Sequence, residues 1–111
     1  MARSRNNLPE VKTYVLDKSG NPVPEPDMAK FGAFLASEAK VVEQNTLPDG
    51  TFVSTVFVGV DYRLPPRLWE TIIVGGIEDG YEERHTSHAA ALRGHAAALA
   101  RAKAGLSRAN R

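Results

Sequence analysis

Residues 40–76 read "KVVEQNTLPDGTFVSTVFVGVDYRLPPRLWETIIVGG" and hold most of the chain's bulky apolar residues. Pro48-Asp49-Gly50 is strong turn chemistry, so the first half predicts a β-hairpin: a strand from Val41 to Thr46, a turn at Leu47 to Gly50, and a longer strand from Thr51 to about Val60. Side chains alternate across a strand, which puts Phe52, Val56, Val58 and Val60 on one side and Val53 and Phe57 on the other. A loop over Arg63 to Pro66 leads into a third strand, where Leu68, Glu70, Ile72 and Val74 alternate with Trp69, Thr71 and Ile73 until Gly75-Gly76 ends it. Both faces of these strands are largely apolar, and one layer of helices covers only one of them.

Upstream, a short strand is expected around Lys12 to Leu16, followed by a turn at Gly20 to Pro22 and an extended connection set by Pro22, Pro24 and Pro26. Asp27 is placed to cap a helix from Met28 to about Ala39, with Met28, Phe31, Phe34 and Leu35 at helical spacing. Downstream, "IEDGYEERHT" predicts an acidic turn and a short extended segment near Tyr81 to His85. An alanine-rich helix follows, capped by Thr86 or Ser87 and stopped at Gly105. The element order predicts an α+β fold: one domain over 1–111, a small antiparallel β-sheet with two α-helices, and flexible ends at 1–10 and 105–111.

The chain has 111 residues, 42% of them hydrophobic and 24% charged, which suits a folded domain with a modest core. Fourteen Lys and Arg against thirteen Asp and Glu give a net charge of +1, so no overall field recruits nucleic acid or an anionic membrane. There are no cysteines, which removes disulfides, thiolate nucleophiles and cysteine-ligated zinc. The N-terminal "MARSRNNLPEVK" has no apolar run of the signal-peptide kind, and no segment approaches the roughly 18 apolar residues of a membrane span, so a cytoplasmic protein is expected.

Several residue groups invite a chemical reading. His85, His88 and His95 have spacing compatible with a metal site, but no further strong ligand accompanies them. His88, Leu92, His95 and Leu99 share a helical face, which predicts packed histidines and no metal. Asp61 and Glu70, set among apolar residues, are the one candidate acid/base pair; Glu70 is otherwise at a sheet edge or paired with a cation such as Arg63 or Arg67, and the cost of an unpaired buried carboxylate favours an ion pair. Gly75-Gly76 is neither a P-loop nor a dinucleotide fingerprint, and serves either a turn or the close approach of a ligand. Residues 84–111 contain Arg84, Arg93, Arg101, Lys103, Arg108 and Arg111 but no acid. That local basic surface is either a solvated helix face or a place for a compact phosphate, which arginine grips with two donors at once. Duplex nucleic acid needs a broader positive surface.

The two apolar faces, in so short a chain, also predict self-association, most simply a two-fold dimer with Asp61, Arg63 and Glu70 at the subunit seam. "STVFVGVDYRLPPRLWETIIVGG", followed by "EDGYEERHTSHAAALRGH", resembles the phage Thoeris anti-defence sponge family, whose members sequester cyclic ADP-ribose-type signals and some cyclic oligonucleotides without cleaving them. The resemblance covers roughly residues 40–100. It implies dimers or higher homo-oligomers, no catalytic residues and no cofactor. It also implies a cyclic phosphate-bearing nucleotide bound between subunits near Val74, with Arg84 and Arg101 on the phosphates. Arg93 joins them as a third arginine, Trp69 or Tyr81 is nominated to stack on a base, and Gly75-Gly76 to permit close approach. Two departures from the family pattern stand out: Val74 replaces a larger aromatic, and the "DYRLPPR" loop is short. The competing expectations are a protein-interaction module using the apolar sheet, and a nucleotide hydrolase or lyase built on Asp61, Glu70 or a histidine.

Overall fold

The computed structural model describes residues 12–109. The expected flexible end at 1–10 lies outside them, as do residues 110 and 111 of the other end. Seven strands and two helices follow one another as β1 (Lys12–Leu16), β2 (Pro22–Pro24), α1 (Met28–Leu35), β3 (Val41–Thr46), β4 (Phe52–Phe57), β5 (Val60–Asp61), β6 (Trp69–Val74), β7 (Glu82–His85) and α2 (His88–Ala109). The class is α+β with antiparallel pairing throughout, but the strands form two sheets where one was expected: β3-β4-β6-β7 and β2-β1-β5.

The split happens inside the stretch that reads as one long strand. β4 stops at Phe57, and the backbone N–H groups of Val58 and Gly59 both donate to the Leu68 carbonyl. Gly59 then takes a φ of +72°, a conformation that strands with side chains avoid. A Cβ there would sit 2.5 Å from the Tyr14 carbonyl oxygen and 2.9 Å from the Phe31 ring. The glycine therefore lets β1 cross close by, and Val60 leaves the larger sheet to pair with Thr13.

α1 begins where Asp27 predicts, with its carboxylate accepting from the N–H groups of Ala29 and Lys30. It ends four residues earlier than expected. Ser37 donates to the Phe34 carbonyl and accepts from the Ala39 N–H, so its side chain competes with the helix and starts a separate 3₁₀ turn over Glu38–Lys40. α2 errs in the other direction, running through Gly105 to Ala109. Gly105 is buried on the packed side of the helix together with Ala91, His95, Ala98 and Ala102. In that stripe of small residues it allows close packing and does not act as a stop.

α2 lies across all four strands of the larger sheet. The register brings Val53, Thr55 and Phe57 of β4 beside Ile73, Thr71 and Trp69 of β6, and all six are buried beneath the helix. Phe57 packs edge-on against Trp69 at 5.2 Å and against Phe34 of α1 at 5.8 Å. The opposite face presents Phe52, Val56 and Ile72, each half-buried, and Val74, which is 50% exposed.

Candidate functional site

Strand register decides which of the nominated residues meet. Along β6, Glu70 pairs with Arg84 of β7, while Val74 lies at the other end opposite Phe52. Four residues of extended chain separate those ends, about 13 Å. The nominated residues therefore fall into two groups.

The first group lines a cleft of about 500 Å³ formed by Asp61, Tyr62, Arg67, Glu70, Glu82, Glu83 and Arg84. The Asp61 carboxylate accepts from both the backbone N–H and the Nε of Arg67, at 2.8 and 3.2 Å. That backbone N–H, more than the guanidinium, holds the Asp61 carboxyl below its ordinary pKa. Arg84 Nε donates to Glu70 at 3.2 Å, and its Nη1 donates to the carbonyls of Val60 and Arg67 at 3.0 and 2.9 Å. One guanidinium thus ties β7 to β6, to the loop and to β5, and so joins the larger sheet to the smaller one. Glu70 sits in an ion pair as expected, but its partner is Arg84 of β7, which the strand register places opposite it, and neither Arg63 nor Arg67; Arg67 pairs with Asp61. Trp69 starts the same strand but is only 2% exposed, so its ring belongs to the core and no ligand stacks on it in this fold.

The second group gathers at the far end of the sheet. Gly75 and Gly76 have φ of +87° and +72°, and the Gly75 N–H donates to Asp79 at 2.6 Å. A Cβ on Gly76 would lie 2.5 Å from Thr51 Oγ1, so the close approach these glycines permit is to the chain's own turn. Arg101 reaches this corner from α2, donating to Glu78 at 2.7 Å and lying over the Tyr81 ring at 4.9 Å. Val74, Gly75 and Gly76 thus share this end of the sheet with Glu78 and Tyr81, the partners of Arg101, while Val74 lies on the face away from α2 and Arg84 is at the opposite end. Arg93 stands exposed on α2, about 12 Å along the helix axis before Arg101.

A third constellation crosses the sheet beneath α2. His95 Nε2 is 2.6 Å from Asn45 Oδ1, and its Nδ1 is 2.8 Å from Thr55 Oγ1. Thr55 Oγ1 is 2.6 Å from Thr71 Oγ1, which is 2.9 Å from His85 Nε2. Both threonines and both histidines are buried. His95 takes the packed position expected of it, whereas His88 and Leu92 face solvent because the packed stripe runs through the small residues. Burial pushes both imidazoles below their ordinary pKa, opposed only by Glu43 beside His95 and Glu83 beside His85. No group of three or more potential metal ligands occurs among the described residues.

Gly94 makes room for this chain: a Cβ on it would fall 2.2 Å from His85 Cε1. The signal for the constellation is present in the alternation of β4 and β6, which turns Thr55 and Thr71 inward at adjacent positions; threonine is common in strands, so the pattern alone does not single them out. No helix of the described residues is long and apolar enough to cross a membrane. Comparison with known protein families, curated proteins and solved structures gives no match.

Proposed function

We propose that the chain is a non-enzymatic binding protein that works as a homo-oligomer and sequesters a small ligand at the seam between copies. One observation carries this reading. The outer face of the larger sheet leaves four apolar residues, Phe52, Val56, Ile72 and Val74, partly exposed among polar ones such as Gln44, Ser54 and Glu82, and it adjoins the cleft because Glu70 and Arg84 belong to both. Apolar surface beside a polar cleft is the composition of a subunit interface with a site at its rim.

The sequence resemblance nominates the ligand class as cyclic ADP-ribose-like or cyclic oligonucleotide signals. In that reading Arg93 meets phosphate directly, while Arg84 and Arg101 exchange a carboxylate partner for a phosphate when a second copy closes the site. Sequestration needs affinity and copy number, and no bond is broken. Light scattering combined with isothermal titration against cyclic ADP-ribose isomers and cyclic di- and trinucleotides tests the proposal. The expected result is an oligomer that binds at least one of them, releases it intact after heat denaturation, and weakens on Arg101→Ala. A strict monomer that gives no heat with any of these ligands overturns it.

A second reading is favoured by the charge of the cleft. Four carboxylates face two arginines there, and both arginines are already paired. A basic protein surface fits that balance better than a phosphate does. A protein-interaction module of this kind binds a host partner in salt-sensitive fashion and is indifferent to nucleotides.

A further inference from the structure

The polar chain under α2 has a definite proton count. Its four hydrogen bonds, from Asn45 through His95, Thr55 and Thr71 to His85, need one proton each. Two neutral imidazoles and two hydroxyls supply four. The Asn45 carbonyl oxygen accepts, so His95 carries its proton on Nε2 and accepts from Thr55 on Nδ1. Thr55 in turn accepts from Thr71, and Thr71 accepts from His85 Nε2–H. Every donor points the same way, from β7 across β6 and β4 to α2, and then down to β3. The neutral state is therefore complete.

Added protons upset that count. A second proton on His95 places an N–H against Thr55, so both hydroxyls must turn round and His85 must move its own proton to Nδ1. When both rings are doubly protonated, two N–H groups point at the threonine pair and one hydroxyl is left with no acceptor in the chain. Two positive charges then lie in the wedge between helix and sheet. The groups facing them are few. β3 offers Glu43, 3.8 Å from His95 Nε2, and Asn45; β7 offers Glu83, 4.0 Å from His85 Nε2; β4 and β6 offer only the threonines. Both glutamates are about half exposed, so water screens the attraction.

We infer that this chain is an acid-sensitive latch: with both imidazoles neutral it locks α2 across four strands, and protonation of the histidines releases the helix before the sheet itself gives way. The direction follows from linkage. Burial lowers the histidine pKa in the folded state relative to the ordinary 6.5, so below that value the unfolded or opened state binds more protons. The latch is fully closed above about pH 6.5 and loosens as pH falls. α2 bears Arg93 and Arg101, so the device controls the placement of two exposed arginines.

Nitrogen-detected NMR of the histidine rings in the full chain, together with amide exchange between pH 7 and pH 5, tests the inference. The expected spectrum shows two neutral Nε2–H tautomers at pH 7. The opening equilibrium of α2 amides, corrected for intrinsic exchange, should rise about tenfold per pH unit for each linked histidine, ahead of the β4 and β6 amides. His95→Gln keeps one donor and one acceptor but does not titrate, and it is expected to remove about half of that logarithmic slope. A ring doubly protonated at pH 7, α2 amides insensitive to pH, or helix and strand amides opening together would each overturn the latch. Should the variant fail to fold, the wild-type titration decides alone.

Discussion

The two faces of the four-stranded sheet differ in how their residues are satisfied. The covered face buries Val53, Phe57, Trp69 and Ile73 around a polar line, while the open face leaves Phe52, Val56, Ile72 and Val74 partly exposed among polar residues. On the covered side, Thr55, Thr71, His85 and His95 satisfy one another, which turns potentially costly buried groups into a directional constraint on four strands and a helix. On the open side, Phe52, Val56, Ile72 and Val74 contribute less to the isolated fold than their composition allows, because they retain exposure. The difference separates two jobs: one face specifies the structure and the other is available for association.

The comparison breaks most visibly at His95. His95→Ala removes a fully packed ring, takes the donor from Asn45 Oδ1 and leaves the Thr55 hydroxyl with Thr71 alone, so a loss of about 3–5 kcal/mol is expected in chemical denaturation. A loss below about 1 kcal/mol would mean that the polar line is incidental. Gly94→Ala comes next. Alanine is the better helix former by about 1 kcal/mol, yet its methyl would land on the His85 ring, which Thr71 holds in place. Overpacking of this kind should prevail, for a net loss of about 1–3 kcal/mol and an altered His85 ring signal. A more stable Gly94→Ala protein would show that the ring moves freely.

Much of this arrangement is legible in the sequence, and the misses have physical causes. The alternation in "WETIIV" assigns Trp69, Thr71 and Ile73 to one face and Glu70, Ile72 and Val74 to the other, and the register agrees. The turn at Pro48-Asp49-Gly50 and the cap at Asp27 are local chemistry and appear where they are read. What escapes is long-range. Gly59 looks like one more strand residue until β1, some 45 positions earlier, is seen to pass against it. Arg84 looks like part of a basic surface until the fold brings Glu70 and two carbonyls to it. Gly105 matches a helix stop because the sequence does not reveal how closely the sheet approaches.

The junction between the sheets sharpens the contrast at intermediate magnitude. Arg84→Met keeps most of the stem but removes the donors, leaving Glu70 and two carbonyls with fewer partners, and about 2 kcal/mol of stability should be lost. The loss should fall mainly on β5, β1 and β2, which amide exchange resolves strand by strand. A uniform loss across both sheets would show that Arg84 supports the larger sheet and not the connection.

The smallest effect on stability is expected on the open face. Val74→Glu places a charge where the side chain is half exposed, so the unfolding free energy of a monomer should change by less than about 0.5 kcal/mol. The same charge beside its symmetry mate would be costly in a two-fold interface, because neither copy supplies a cation next to it in the strand register: Phe52 is its neighbour on β4. Mass by light scattering should therefore fall while the melting transition, extrapolated to low protein concentration, stays in place. If the mass and the transition both hold, the outer face is not where copies meet, and the cleft alone is left to explain binding. If both fall, the apolar face is part of the fold's own stability and the division between the two faces fails.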